Sequence, residues 1–212
     1  RESQQGARTW AVAKDSTGAI WLGTEHNGLH RWQEGKFTQF NLGPGSLPGS
    51  IYSLCMDRLE RLWAGTGDNG VLRFENGKFE PVWSYPEPSW NKSVYVIYED
   101  RLGQMWFGTG AGLFCWADGN ARQVTARKFS MGTVRAIAED PSGRLWFGLA
   151  AGGETRLACL QGEELVGQGV ADGLFGNDVF GLHPDDEGGI WIATAGGGLW
   201  RALPRRPGGA PG

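Results

Sequence analysis

Residues 185–199 read DDEGGIWIATAGGGL, and four other segments of the chain repeat their pattern. Those segments are DSTGAIWLGTEHNGL (15–29), DRLERLWAGTGDNGV (57–71), DRLGQMWFGTGAGL (100–113) and DPSGRLWFGLAAGGE (140–154). In each of them an aspartate stands six residues before a tryptophan, and successive tryptophans are 42, 43, 40 and 45 residues apart. A fixed period of this length indicates a repeat protein whose units stack on one another.

Every repeat contains the signals for four short strands. An apolar run such as Ile51–Met56 comes first, and the Asp-x-x-Gly turn leads into a second strand that carries the tryptophan. A glycine-rich turn, a third strand and a fourth strand follow. Four antiparallel strands in about 40–45 residues form one blade of a β-propeller. We therefore predict an all-β propeller of five four-stranded blades, at about 9–41, 51–83, 94–125, 134–167 and 179–202, with a disordered Pro/Gly-rich tail at 203–212.

The number of blades leaves the closure of the ring open. The fifth repeat has no obvious fourth strand, and the chain could form a closed five-bladed ring or five blades of a larger ring. An open arc would expose an apolar blade face at each end, and such faces favour a homo-oligomer.

The residues that recur in every repeat are expected to be structural. A tryptophan on the second strand fills the space between neighbouring blades, and an aspartate at the preceding turn binds backbone N–H groups. This group comprises Trp21, Trp63, Trp106, Trp146 and Trp191 together with Asp15, Asp57, Asp100, Asp140 and Asp185.

Composition excludes several classes of protein. The net charge is −3 and no basic stripe is present, so nucleic-acid binding is not expected. No apolar run approaches the roughly 18 residues of a membrane span. The three cysteines lack a metal-binding spacing, and we predict neither a metal nor another cofactor. Because the chain starts at Arg1 and shows no signal peptide, we interpret it as a processed or excised piece.

The repeat resembles that of the two-component regulator propeller family over residues 9–201. The shared pattern is D-x-x-G-x-L-W-x-G-T-x-x-G-G-L-x-R, clearest in the fifth repeat at Gly189–Ile192 and Gly197–Arg201. The resemblance implies rings of seven blades that form the periplasmic or other extracytoplasmic sensor half of bacterial hybrid histidine kinases, several of which detect glycans. This chain departs from that pattern in having five repeats and, in the fourth, Leu149 and Glu154 at positions where other residues are usual.

Two groups of residues are candidates for ligand binding. The first lies eleven residues before each repeated tryptophan, near the start of the first strand, where the side chains could line a funnel or could pack between blades. It comprises Trp10, Tyr52, Tyr95, Arg135 and Phe180. The second lies in loops at the same end of the blades, where function is often found. It comprises His26, Asp68, Asn69 and, in the aromatic loop 81–92, Tyr85, Trp90 and Asn91.

These features favour a non-catalytic sensor propeller that binds a small-molecule or oligosaccharide ligand. No G-x-S-x-G elbow is present, and His183 stands beside acidic residues that the repeated turn already explains, so we identify no catalytic residue. Two alternatives remain open on the same scaffold: an enzyme, either a lyase or a glycosidase, and a scaffold that binds only protein.

Overall fold

The structure is a computed structural model that describes residues 8–40, 49–84, 93–150, 155–162, 164–169 and 178–202. Within these ranges the regular structure consists of strands, which form five antiparallel sheets. Four sheets have four strands, and the fifth has three among the described residues. The all-β class predicted from the sequence is confirmed, while the predicted tail at 203–212 lies outside the described residues.

The strands follow chain order within each sheet. Sheet 1 comprises β1 (Thr9–Lys14), β2 (Ile20–Thr24), β3 (Leu29–Gln33) and β4 (Lys36–Phe40). Sheet 2 comprises β5 (Ile51–Met56), β6 (Leu62–Thr66), β7 (Val71–Glu75) and β8 (Lys78–Trp83). Sheet 3 comprises β9 (Val94–Glu99), β10 (Met105–Thr109), β11 (Gly112–Ala117) and β12 (Asn120–Val124). Sheet 4 comprises β13 (Thr133–Glu139), β14 (Leu145–Ala150), β15 (Thr155–Gln161) and β16 (Glu164–Gly169). Sheet 5 comprises β17 (Val179–Pro184), β18 (Ile190–Thr194) and β19 (Gly198–Ala202).

The chain divides into two compact units, residues 1–110 with 114–122 and residues 111–113 with 123–212. In the first unit, β1, β5 and β9 lie side by side, and the tryptophan strands β2 and β6 pack on the first strand of the following sheet. In the second unit, β13 lies beside β17, and the tryptophan strand β14 packs on β17. Within each unit, therefore, each sheet stacks face to face on the next.

Glycine two residues after the tryptophan permits this close stacking. A Cβ atom on Gly23 would lie 2.6 Å from Cγ2 of Ile51, and one on Gly148 would lie 2.5 Å from Cγ1 of Val179. Side chains at these positions would push the sheets apart, since interiors are packed too densely to absorb the extra atom. In the fifth repeat Ala193 takes this position, and no sheet follows β19 in the described part of the chain.

The repeated tryptophans form the packing between sheets. Trp21, Trp63, Trp106 and Trp146 are at most 3% exposed. Trp21 belongs to a buried cluster with residues of sheet 2, and its ring centroid lies 5.2 Å from that of Phe74. Trp191 differs, because 38% of it is exposed on the last described sheet. Trp21, Trp63 and Trp146 are thus buried where the following sheet of the same unit covers them.

In the first four repeats, the turn aspartate holds both the turn and its tryptophan. Oδ1 of Asp57 accepts backbone N–H bonds from Leu59 at 3.0 Å and Arg61 at 2.8 Å, while Oδ2 accepts the indole N–H of Trp63 at 2.8 Å. These bonds satisfy polar groups that the stacked sheets remove from water. The same three kinds of bond are made by Asp15, Asp100 and Asp140.

Hydrogen bonds lower the pKa of several turn aspartates, among them Asp57, Asp140 and Asp185. Burial alone would raise the pKa of Asp57, but hydrogen bonds from Trp63 and Arg61 outweigh it and hold the pKa below its ordinary value. The pKa of Asp140 is lowered by the same balance. In the fifth repeat, a hydrogen bond from Arg201 is the main cause of the lowered pKa of Asp185.

Candidate functional site

The five candidate residues at the start of the first strands share an irregular backbone position. The pairing of β5 with β6 skips Tyr52, because Ile51 pairs with Thr66 and Ser53 pairs with Gly65. The same shift in register occurs on every first strand. The skipped residues are Trp10, Tyr52, Tyr95, Arg135 and Phe180.

A skipped residue of this kind is a β-bulge. The extra residue has no partner in the ladder, the strand bends there, and its side chain points in a new direction. Bulges are enriched at sheet edges and beside active sites for this reason. The structure therefore gives all five candidate positions the same local geometry, although their side chains differ.

In the first unit, three of these side chains form a row that we name the aromatic strip: Trp10, Tyr52 and Tyr95. The ring centroids of Trp10 and Tyr52 are 6.1 Å apart and the rings meet edge to face. Those of Tyr52 and Tyr95 are 5.3 Å apart with an interplanar angle of 37°. Trp10 is 49% exposed and both tyrosines are partly exposed. The strip combines ring–ring packing with a surface that solvent reaches.

The strip lies against the turn between β6 and β7. A Cβ atom on Gly67 would lie 3.5 Å from the Tyr52 ring, so the ring packs on the backbone of that residue. Gly67 is fixed at both of its peptide groups: its N–H donates to the Ser50 carbonyl at 2.9 Å, and its carbonyl accepts the Ser93 hydroxyl at 3.3 Å. This contact was not foreseen from the sequence, because glycine and serine at turns carry no specific signal.

The candidates Asp68 and Asn69 follow Gly67 directly, and both are exposed. The backbone N–H of Asn69 donates to Oγ1 of Thr66 at 2.8 Å, which orders the turn. Their side chains therefore stand on an ordered turn next to the Tyr52 ring, with one carboxylate and one amide available to solvent.

His26 occupies the corresponding turn of sheet 1. It is exposed and has a φ of 60°, in the left-handed region that few residues other than glycine adopt. Its N–H donates to Oγ of Ser50 at 3.3 Å, and its Nδ1 lies 3.4 Å from the same oxygen. Ser50 thus links the His26 turn to the Gly67 turn.

In the second unit, the two bulged residues pair with each other. The guanidinium carbon of Arg135 lies 5.0 Å from the centroid of the Phe180 ring, which is a cation–π contact. Arg135 is partly exposed and Phe180 is 49% exposed. The pair presents a positive charge and an apolar ring on neighbouring first strands.

The remaining loop candidates, Tyr85, Trp90 and Asn91, lie outside the described residues. In the described part of the chain, His, Cys, Asp and Glu side chains form no group of three that could hold a metal ion. The described residues also form no helix that is long and apolar enough to cross a membrane.

Antiparallel sheets of three or four strands, in which the tryptophan strands β2, β6 and β14 pack on the first strand of the following sheet, define the chain as a propeller protein. Residues 89–111, 128–150 and 173–196 match the family described as Two component regulator propeller. These three matches fall on the third, fourth and fifth repeats. The third, fourth and fifth repeats therefore match the two-component regulator propeller repeat, and the resemblance seen in the sequence is confirmed.

Solved structures agree with this assignment. The chain is 25% identical to the extracellular domain of a putative hybrid two component system from B. thetaiotaomicron, with a TM-score of 0.80, and the alignment covers 98% of this chain and 28% of that one. A second such domain from the same organism is 24% identical, with a TM-score of 0.76 and coverage of 95% and 28%. The chain thus spans 28% of the length of these two proteins.

A propeller of another kind shares the fold. A catalytically inactive virginiamycin B lyase from Staphylococcus aureus is 16% identical, with a TM-score of 0.73, and the alignment covers 97% of this chain and 73% of that one. At this identity the likeness shows the fold alone. None of the curated proteins matches the chain.

Proposed function

We propose that the chain is the ligand-binding part of an extracytoplasmic sensor of a bacterial two-component-type regulator, and that it binds its ligand without transforming it. The matched repeats and the likeness to extracellular domains of hybrid two component systems support a sensor role. The observation that carries ligand binding is the aromatic strip, whose three bulged residues keep solvent-accessible rings in one row.

The ligand that suits the aromatic strip is a carbohydrate or another small polar molecule. Sugar rings present C–H groups on their faces, which pack on aromatic rings, and hydroxyl groups at their edges. Asp68 can accept hydrogen bonds from such hydroxyls, and Asn69 can both donate and accept them. A few polar groups beside an apolar surface are the usual composition of a small-molecule site.

The strip is also well ordered before any ligand arrives. Tyr52 rests on Gly67, which is held by hydrogen bonds on both sides, and each ring of the strip packs on its neighbour. Aromatic side chains have few rotatable bonds, so little conformational entropy is lost when they bind. A preformed surface of this kind favours recognition, and a rigid scaffold gives the ligand a fixed orientation.

The proposal is tested by measuring binding and turnover on the same samples. Wild-type protein is titrated calorimetrically with a panel of soluble neutral and acidic oligosaccharides, and each mixture is then analysed chromatographically for products. We expect at least one oligosaccharide to bind and to be recovered unchanged. Cleavage of the bound oligosaccharide would instead favour the lyase or glycosidase alternative.

Two matched variants locate the site. Trp10→Ala removes a ring of the strip that is 49% exposed, and Phe37→Ala removes a ring on β4 that is 50% exposed. Trp10→Ala should weaken binding about tenfold, since aromatic anchors of binding sites typically contribute more than about 1 kcal/mol. Phe37→Ala should bind as the wild type does. Equal affinity of the two variants would place the ligand elsewhere.

A further inference from the structure

A cavity of about 380 Å³ lies in the first unit, where sheet 1 packs on sheet 2. We call this packing the first junction, and the packing of sheet 2 on sheet 3 the second junction. The cavity is found at the β1–β2 turn, whereas the aromatic strip is at the opposite end of the first strands. It therefore belongs to a part of the molecule that the proposed function does not use.

The inner wall of the cavity is apolar. The rings of Trp21, Phe40 and Phe74 pack on one another with centroid separations between 4.9 and 5.4 Å. Met56 and Leu62 complete this wall. Because Phe40 and Phe74 are only partly buried, their edges face the open space and offer a surface to an apolar group.

The outer rim is polar and exposed, with Ser16, Thr17 and Glu60. Asp15 and Arg31 also line it, but they neutralise each other through bonds of 3.1 and 2.9 Å from the guanidinium to Oδ2 of Asp15. The carboxylate of Glu60 is therefore the unbalanced charge at the rim. A cation is the type of ion that this rim favours.

The second junction shows what occupies the equivalent place one repeat later. Arg58, the counterpart of Ser16, crosses to the next turn, where its Nε lies 2.9 Å from Oε1 of Glu99. Its guanidinium also donates to the carbonyls of Arg101, at 3.1 Å, and of Asp100. It lies 3.8 Å from the position of a Cβ atom on Gly103, which is the counterpart of Glu60.

The two junctions thus differ in a correlated way. At the first, Ser16 is too short to cross, and Met56 stands where the second junction has Glu99. The carboxylate is supplied instead by Glu60, at the position of Gly103. The first junction therefore has a carboxylate from Glu60 beside this position, while Ser16 replaces the arginine that would reach it.

Glu60 adopts a backbone conformation that is unfavourable for a residue with a side chain. Its φ is 60°, and the other four repeats have glycine at this position, with φ between 82° and 85°. A left-handed residue with a side chain costs roughly 1–2 kcal/mol. Strained residues of this kind concentrate at functional sites, where the surrounding structure offsets their cost.

We propose that this cavity binds a guanidinium group carried on a short apolar stem, in the place that the Arg58 side chain takes at the second junction. Glu60 pairs with the guanidinium, which carboxylates can bind through two parallel hydrogen bonds. The carbonyls of Asp57 and Arg58 correspond in the repeat to those that Arg58 reaches at the second junction. The stem lies along Met56 and the edges of Phe40 and Phe74.

The test uses n-butylguanidine as the probe and its neutral counterpart n-butylurea as the control ligand. Binding is measured by calorimetry, and its location by the amide and indole N–H signals of Thr17, Glu60 and Trp21 in NMR spectra. We expect n-butylguanidine to bind in the millimolar range and to shift these signals, and n-butylurea to bind about tenfold more weakly. No binding of n-butylguanidine to the wild type would overturn the proposal.

Three variants separate the site from the fold. Glu60→Gln keeps the backbone but removes the charge, and should weaken binding about tenfold with little change in melting temperature. Glu60→Gly should abolish binding while raising the melting temperature by about 2–4 °C, because it relieves the strained backbone. Ser16→Arg should supply the guanidinium from the chain itself and block the probe.

The matched control is Glu34→Gln, because Glu34 is likewise an exposed turn glutamate with positive φ, but lies outside the cavity lining. It should bind n-butylguanidine as the wild type does. Wild-type affinity in Glu60→Gln, or undiminished binding in Ser16→Arg, would contradict the proposed site. Either result would leave oligosaccharide binding at the aromatic strip unaffected, so failure here is distinguishable from failure of the proposed function.

Discussion

The two ends of each first strand are built on opposite principles. At the end that leads into the turn before the tryptophan strand, the same residue types recur. In four of the repeats an aspartate there binds the turn and the indole of a buried tryptophan. At the other end, only the backbone geometry recurs: the bulge is present in every repeat, but it carries Trp, Tyr, Tyr, Arg or Phe.

This difference supports the proposal that stability and ligand recognition depend on opposite ends of the first strands. A residue that is buried and hydrogen-bonded in the first four repeats has one acceptable identity there, because any replacement leaves a cavity or an unsatisfied polar group. A bulged residue at the surface is under no such constraint. The scaffold can therefore vary the side chains of the bulges and leave the stacking of its sheets unchanged.

The largest expected effect is the loss of a buried tryptophan. Trp63→Ala should lower the free energy of unfolding by about 3–5 kcal/mol, since the ring is 1% exposed and packs between sheets 2 and 3. Trp191→Ala is the matched control, because this ring stands in the same repeat position but is 38% exposed. Urea unfolding of the two variants measures the difference, and equal losses would show that burial by a following sheet does not decide the role of the tryptophan.

The next effect is the loss of a turn aspartate. Asp57→Ala removes the acceptor of the Trp63 indole and of two backbone N–H groups in a buried setting. We expect a loss of about 2–3 kcal/mol in unfolding free energy. Asp68→Ala, which removes an exposed aspartate of the other turn, should change it by less than about 0.5 kcal/mol. Similar losses of unfolding free energy in the two variants would contradict the view that only the repeated aspartate is structural.

A smaller effect is expected from pH. The pKa values of Asp57 and Asp140 are lowered in the folded protein, so their charged forms stabilise the fold above the ordinary value of 3.8. This stabilisation is lost as the pH falls through the folded-state pKa values. Asp57→Asn should therefore lose less stability than the wild type between neutral pH and about pH 3, as measured by urea unfolding at each pH. Parallel curves would mean that Asp57 is not held in its charged form by the turn.

Much of the fold follows from the sequence because its signals have simple physical causes. Gly23 and Gly148 recur since the next sheet leaves no room for a Cβ atom, and Asp57 and Trp63 recur since they bind each other. The order of the strands could be predicted from these residues. In the fifth sheet, three strands lie within the described residues, and the sequence of the last repeat carries no signal for a fourth.

The candidate sites were less predictable. The spacing identified Tyr52 and Tyr95 as equivalent positions, but a bulge shifts the register by one residue and leaves no sequence signal of its own. The contact of Tyr52 with Gly67 depends on how sheets stack, which no local pattern encodes. The sequence marks Glu60 as unusual, because it replaces the glycine of the repeated turn. Its proposed role in binding a cation could be inferred only from its place at the cavity.

The separation of recognition from stability is tested most directly by a crossed comparison of two variants. Tyr52→Ala combined with Tyr95→Ala should weaken oligosaccharide binding more than about tenfold, while the unfolding free energy stays within about 1–2 kcal/mol of the wild type, because both rings are partly exposed. Trp63→Phe should lower the unfolding free energy and retain the affinity of the wild type. A double variant that binds normally, or a Trp63→Phe variant that loses binding without losing stability, would contradict the account.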